Sequence, residues 1–171
     1  MSNWIAAGTV VACLAASGNA TASSRAENDI FRKWLGTWTC EGTADGPQGT
    51  KTKYQVTWKW TSVLDGQWYA AVYARPRQGK VVAYQANITA GYDRADKKYL
   101  FASFDGFGGW TRLSSVDGAS YAGEGTPQGP RAPVRITFTK GKDESGRDSD
   151  SRIDVKLEVG GPPITESCRR Q

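Results

Sequence analysis

The sequence contains no histidine, and that absence removes more chemistry than any single residue supplies. Ser-His-Asp and Cys-His nucleophilic systems require an imidazole base, and the common zinc and iron sites require imidazole ligands. Cysteine is scarce, limited to Cys13, Cys40 and Cys168. Cys13 sits in the N-terminal apolar segment, so a processed chain keeps two. An even pair in an exported chain reads as a disulfide, with two buried free thiols as the alternative. Once bonded, neither sulfur serves as a nucleophile, and any metal site is restricted to carboxylates. No acidic run has the Asp-x-Asp-x-Asp-Gly spacing of a calcium loop. The expectation is therefore no metal and no cofactor.

Charge is missing from residues 1–22. The apolar run over 4–16 has the length of a signal-peptide core, and Ala20-Thr21-Ala22 supplies small residues for cleavage. We read residues 1–22 as a signal peptide cleaved near Ala22, and 23–171 as a single secreted or periplasmic domain, although no Lys or Arg lies near Met1. The rival reading takes Val10-Val11-Ala12-Cys13 as a lipoprotein box acylated at Cys13. The apolar run falls short of the ~20 residues that a bilayer-crossing helix needs, so no integral membrane span is expected.

What the chain has in quantity is glycine, 20 residues, and aromatics, 11%, a composition that favours a turn-rich all-β domain. The net charge of +5 is distributed with acids interleaved, which serves solubility. Residues 28–35 read as a short helix, with Ile30, Phe31, Trp34 and Leu35 on one stripe. Residues 52–64 alternate most clearly: Tyr54, Val56, Trp58 and Trp60 share one face, and Lys53, Gln55, Thr57 and Lys59 the other. That separation of tryptophan from lysine argues against a nucleic-acid surface, where the two are interleaved. Asp65-Gly66 turns the chain into a strand over 67–75. A three-residue turn with a glycine bulge places Trp60 opposite Ala70 and puts Trp68, Ala70 and Val72 on the tryptophan face; a two-residue turn instead places Trp60 opposite Ala71 and sends Trp68 outward. The bulge is the preferred reading. Further strands are expected over 81–92, 98–105, 109–116, 119–126, 133–140, 152–159 and 164–170. Turn residues lie between them, including a hairpin tip over 141–151. About nine or ten antiparallel strands with short connections describe an up-and-down barrel or a sandwich.

If Cys40 lies directly opposite Cys168 in an antiparallel pair, Trp38 faces Arg170, and a guanidinium over the indole closes the barrel beneath the helix. A Gly-x-Trp on the first strand with an arginine from the last packing across it resembles the signature of the calycins, the lipocalins and their relatives. Gly36-Thr37-Trp38, Glu41-Gly42, Leu64-Asp65-Gly66, Gly91-Tyr92-Asp93 and Cys168-Arg169-Arg170 together resemble a bacterial calycin-like family classed as a domain of unknown function. The resemblance implies a barrel with an internal cavity and implies no reaction. Related nitrobindin-like barrels bind haem through a histidine, which this chain lacks.

The expected ligand site is the aromatic wall: Tyr54, Trp58, Trp60, Trp68, Tyr84, Phe101, Phe104 and Trp110, with Arg112 as a polar contributor. Gln85, Asn87 and Glu166 are further polar candidates. Gly106-Phe107-Gly108-Gly109 lacks the Lys-Ser/Thr and the helix of a phosphate loop, and reads as a turn. The leading expectation is a barrel binding a hydrophobic or aromatic small molecule in its interior. The alternatives are a lyase, isomerase or cyclase using one carboxylate or tyrosine for proton transfer, and an envelope structural or interaction protein with a packed interior.

Overall fold

A computed structural model describes residue 27 and residues 29–45, 51–79, 81–126 and 129–171. The signal-peptide and lipoprotein readings at 1–22 lie outside the described residues. The strands are β1 (Gly36–Asp45), β2 (Lys51–Val63), β3 (Trp68–Arg75), β4 (Tyr84–Asp93), β5 (Lys98–Asp105), β6 (Trp110–Ser115), β7 (Ser120–Gly125), β8 (Ala132–Lys142), β9 (Asp148–Glu158) and β10 (Ile164–Arg170). Each pairs antiparallel with its sequence neighbours, and β1 also pairs with β10, so the sheet is a closed ten-stranded up-and-down barrel. Closure leaves no strand edge for another chain to extend.

The closing register is the expected one: Cys40 is opposite Cys168 and Trp38 opposite Arg170. The two cysteines form a disulfide, and the Arg170 guanidinium lies 4.9 Å from the Trp38 ring centroid. A short helix ending at residue 32 precedes β1. Its Phe31 and the following Trp34 are buried and plug one end of the barrel. The Trp34 ring centroid sits 4.1 Å from that of Phe138 and 5.1 Å from that of Trp60. Trp38 Nε1 donates to the Trp34 carbonyl at 2.7 Å, and Arg170 donates to the Lys33 carbonyl, so the clasp holds the plug.

Two details differ from the expectation. The β2–β3 connection is a four-residue loop closed by the pair Val63 and Trp68, which places Trp60 opposite Ala71 and Trp58 opposite Tyr73. No bulge forms, because Leu64, Asp65 and Gly66 all take left-handed backbone angles (φ 50°, 54° and 81°) and reverse the chain together. Tyr69, Ala71, Tyr73 and Arg75 therefore point inward, while Trp68, Ala70 and Val72 point outward. The second difference is the 141–151 hairpin tip. Strands β8 and β9 continue through most of it, with the Lys140–Asp150 and Lys142–Asp148 ion pairs across them and a register shift between Lys140 and Gly141. The turn itself is confined to 143–147, where Asp143 Oδ1 accepts the backbone N–H groups of Ser145 and Arg147.

Among the described residues no helix is long and apolar enough to cross a membrane.

Candidate functional site

The interior is not uniform along the barrel axis. Toward the helix, aromatic rings fill it: Trp34, Trp58, Trp60, Phe101, Tyr121 and Phe138 form a connected cluster of ring contacts. Only a void of about 10 Å³ is left beside Trp34 and Cys168. Toward the other end the barrel is hollow. A cavity of about 110 Å³ lies there, several times the ~10–15 Å³ needed to hold one water.

Eight strands and one loop-end residue line it. β2 supplies Tyr54 and Trp58, β3 Tyr73 and Arg75, β4 Tyr84, Ala86 and Ile88, and β5 Phe101 and Ser103. Thr111 comes from β6 and Ile136 from β8. On the far side, β9 gives Val155 and Leu157, with Val159 just beyond it, and β10 gives Ile164 and Glu166. Trp58 and Phe101 form the floor. Arg75, Tyr84, Val159 and Ile164 are half-buried and mark the mouth.

The wall is apolar apart from a polar arc running from β10 through β2 and β3 to β6. Its centre is Glu166, buried at 6% relative exposure. One carboxylate oxygen, Oε1, accepts both the Tyr54 hydroxyl at 2.9 Å and the Tyr73 hydroxyl at 2.7 Å. The Trp58 Nε1–H faces the same carboxyl without reaching hydrogen-bond geometry. Tyr54 reaches Glu166 because Gly42 pairs with both residues on β1 and has no side chain. A Cβ there would sit 2.6 Å from the Tyr54 ring. Burial pushes the Glu166 carboxyl above the usual carboxylate range, and the hydroxyl bonds from Tyr73 and Tyr54 and the Arg75 charge act against that shift. The phenols of Tyr54 and Tyr73 are raised, first by burial and then by the neighbouring carboxyl. Both thus remain hydrogen-bond donors across the physiological range.

At the mouth, the Arg75 guanidinium lies between two rings, 5.0 Å from the centroid of Tyr54 and 5.5 Å from that of Tyr84. Tyr84 in turn donates to Asp105 at 3.2 Å, while the other Asp105 oxygen accepts the backbone N–H groups of Phe107 and Gly109. Ser103 and Thr111 hydroxyls bond to each other at 2.6 Å on the β5–β6 wall.

Of the residues expected at the site, Tyr54, Trp58, Tyr84 and Phe101 line this cavity, as does the polar candidate Glu166. Trp60 is interior but lies below the floor, stacked on Trp58. Trp68, Phe104, Trp110 and Arg112 are on the outer surface, which corrects the expectation that they face inward. Trp68 follows from the hairpin register; its ring covers the bare backbone of Gly91 on β4. Phe104 is 65% exposed and paired with Trp110. The inward residues of β6 are Thr111, Leu113 and Ser115, so Trp110 and Arg112 share the opposite face. Gln85 and Asn87 are exposed, since β4 turns Ala86, Ile88 and Ala90 inward. Tyr73 and Arg75 were not anticipated. The signal that finds them is the parity of β3, inverted by the bulge reading.

Among the described residues, one group of side chains brings possible metal-ligand atoms together. Cys40, Cys168 and Glu166 place ligand atoms within 4.8 Å of one another, but both sulfurs are consumed in the disulfide.

A closed antiparallel barrel, plugged by an N-terminal helix, clasped by Trp38 and a C-terminal arginine and hollow at one end, is a calycin-like protein. Within that class, the model of the family described as "Protein of unknown function (DUF1579)" matches residues 23–124, more than half the chain, and the chain belongs to that family. No curated protein matches it significantly. The disulfide fits an oxidising, extracytoplasmic compartment.

Proposed function

We propose that the protein is exported, by way of a signal peptide over 1–22, and binds a small, mainly apolar or aromatic molecule inside the barrel. The observation that carries this reading is the cavity of about 110 Å³ above the Trp58 and Phe101 floor. A site that is apolar over most of its wall, with a few convergent polar groups, is the usual form of a small-molecule pocket. The hollow upper half counts against a packed structural barrel. Native mass spectrometry of the exported protein tests the reading. One small molecule is expected to be retained per wild-type chain and lost from Ala86→Phe, which fills the cavity from β4. A wild-type chain that retains nothing and takes up no aromatic probe ends the proposal.

Glu166 supports a second reading, a lyase, isomerase or cyclase in which this carboxyl transfers a proton. A buried carboxyl held toward its neutral form beside a cavity has the environment of a general acid or base. Glu166→Gln retains the acceptor for both tyrosines and removes the titrating proton. On this reading the variant still takes up ligand but loses turnover; equal turnover excludes Glu166 as the proton donor.

A further inference from the structure

We infer that the ligand is an organic carboxylate, seated with its apolar body in the barrel and its anionic group on the Arg75 guanidinium at the mouth. This deepens the interior-binding reading and rests on it.

The argument starts from the state of Arg75. No carboxylate among the described residues lies within ion-pair distance of it. The two acidic groups nearest its surroundings are already engaged: Glu166 by Tyr54 and Tyr73, and Asp105 by Tyr84 and its own turn. Elsewhere on the barrel, ion pairs are formed by exposed cations such as Arg131 with Glu124 and Lys140 with Asp150. Arg75 differs from these cations in being half-buried beside the cavity.

Its orientation is also fixed. The rings of Tyr54 and Tyr84 lie 5.0 and 5.5 Å from the guanidinium carbon. Nε donates to the Val82 carbonyl at 3.3 Å, and the edge formed by the two terminal nitrogens has the neutral Tyr54 hydroxyl beside it and no charged partner among the described residues. That edge matches a planar carboxylate, which takes two parallel N–H bonds from one guanidinium.

The segment that holds Val82 is itself fastened. Gln78 uses its side-chain amide as a strand would, accepting from the Gln55 N–H at 2.8 Å and donating to the Gln55 carbonyl at 2.7 Å. It pairs β2 beyond the point where β3 ends. Fixing a cation before the ligand arrives removes an ordering cost that would otherwise weaken binding.

The cavity lining below Arg75 supplies no cation to hold an anion at depth. The polar group at depth is Glu166, itself acidic, and its surroundings favour the neutral form. Arg75, at the mouth, is the one cationic side chain among the residues lining the cavity. The apolar body belongs inside, and the charge at the lip.

The experiment is isothermal titration of the full protein with 3-phenylpropionate and with 3-phenylpropionamide, which share shape and differ in charge. The carboxylate is expected to bind wild type at least about tenfold more tightly. In Arg75→Gln that ratio falls to near one, and Arg75→Lys, which keeps the charge but not the flat two-point edge, gives an intermediate ratio. Equal affinities in wild type overturn the inference while leaving interior binding intact, as does a ratio that survives in a folded Arg75→Gln. If neither probe binds wild type, interior binding of this class fails and the inference falls with it.

Discussion

At Gly42 the absence of a methyl group decides where Tyr54 lies. Its ring occupies the space a Cβ would take, 2.6 Å from that position, and its hydroxyl passes on to Glu166. Replacing a strand glycine with alanine ordinarily stabilises; here the sign reverses. Gly42→Ala displaces the ring and breaks the bond to a buried carboxyl, at a cost of about 1–3 kcal/mol, read by urea denaturation. A neutral or stabilising effect would mean that Tyr54 is not held against Gly42. Glu166 makes a second prediction, in pH. Its folded pKa is raised above the ordinary value of 4.5, so the folded state holds the proton more tightly than the unfolded chain. Its contribution is complete below that ordinary value and is lost as pH rises through the folded pKa. Wild type should therefore lose stability relative to Glu166→Gln on going upward from about pH 4.5. The groups facing Glu166 are Tyr54, Tyr73, Trp58 and Arg75, and the two phenols, raised by burial, keep their protons through that window. A stability difference between the two proteins that does not vary over pH 4–8 would falsify the assignment.

At the level of strands, what was legible depended on whether one face of the segment was apolar by itself. In β2, Tyr54, Val56, Trp58 and Trp60 alternate with Lys53, Gln55, Thr57 and Lys59, and all four expected inward residues are buried. The cysteine pair carried the β1–β10 register for a different reason, since a covalent bond between facing residues admits one alignment. β3 offered neither aid. Trp68 and Val72 on one face and Tyr69 and Tyr73 on the other are equally apolar, so the choice fell to the turn, and a turn with three consecutive left-handed residues, two of them not glycine, is not written in turn propensities. The register error moved Arg75 out of the barrel and with it the polar arc of the site. Phe104, Trp110 and Arg112 lie on β5 and β6 and were misplaced independently of that turn. Phe104 and Trp110 are aromatic by type and read as core, yet they form a cross-strand pair on the outside, with Arg131 6.0 Å from the Trp110 ring centroid.

Across the whole molecule, the clasp and the cavity share one wall. Glu166 and Cys168 are alternate inward residues of β10, facing Gly42 and Cys40 on β1, so the bond that closes the barrel also fixes the strand carrying the carboxyl. The disulfide spans 128 residues of chain. On the chain-entropy model a loop of that length contributes about 5 kcal/mol, by restricting the unfolded chain. The β1–β10 hydrogen bonds and the packing of Trp38 under Arg170 do not depend on the sulfurs, so the reduced barrel should still close. Cys40→Ala/Cys168→Ala is therefore expected to fold, to lose stability on the scale of that entropy term, and to exchange its β1 and β10 amides faster than those of β4 and β5. Hydrogen exchange followed strand by strand separates this outcome from general loosening. Uniform acceleration around the barrel would mean that the disulfide supports the fold as a whole, whereas acceleration confined to the seam identifies it as the clasp that holds Glu166 against Tyr54 and Tyr73.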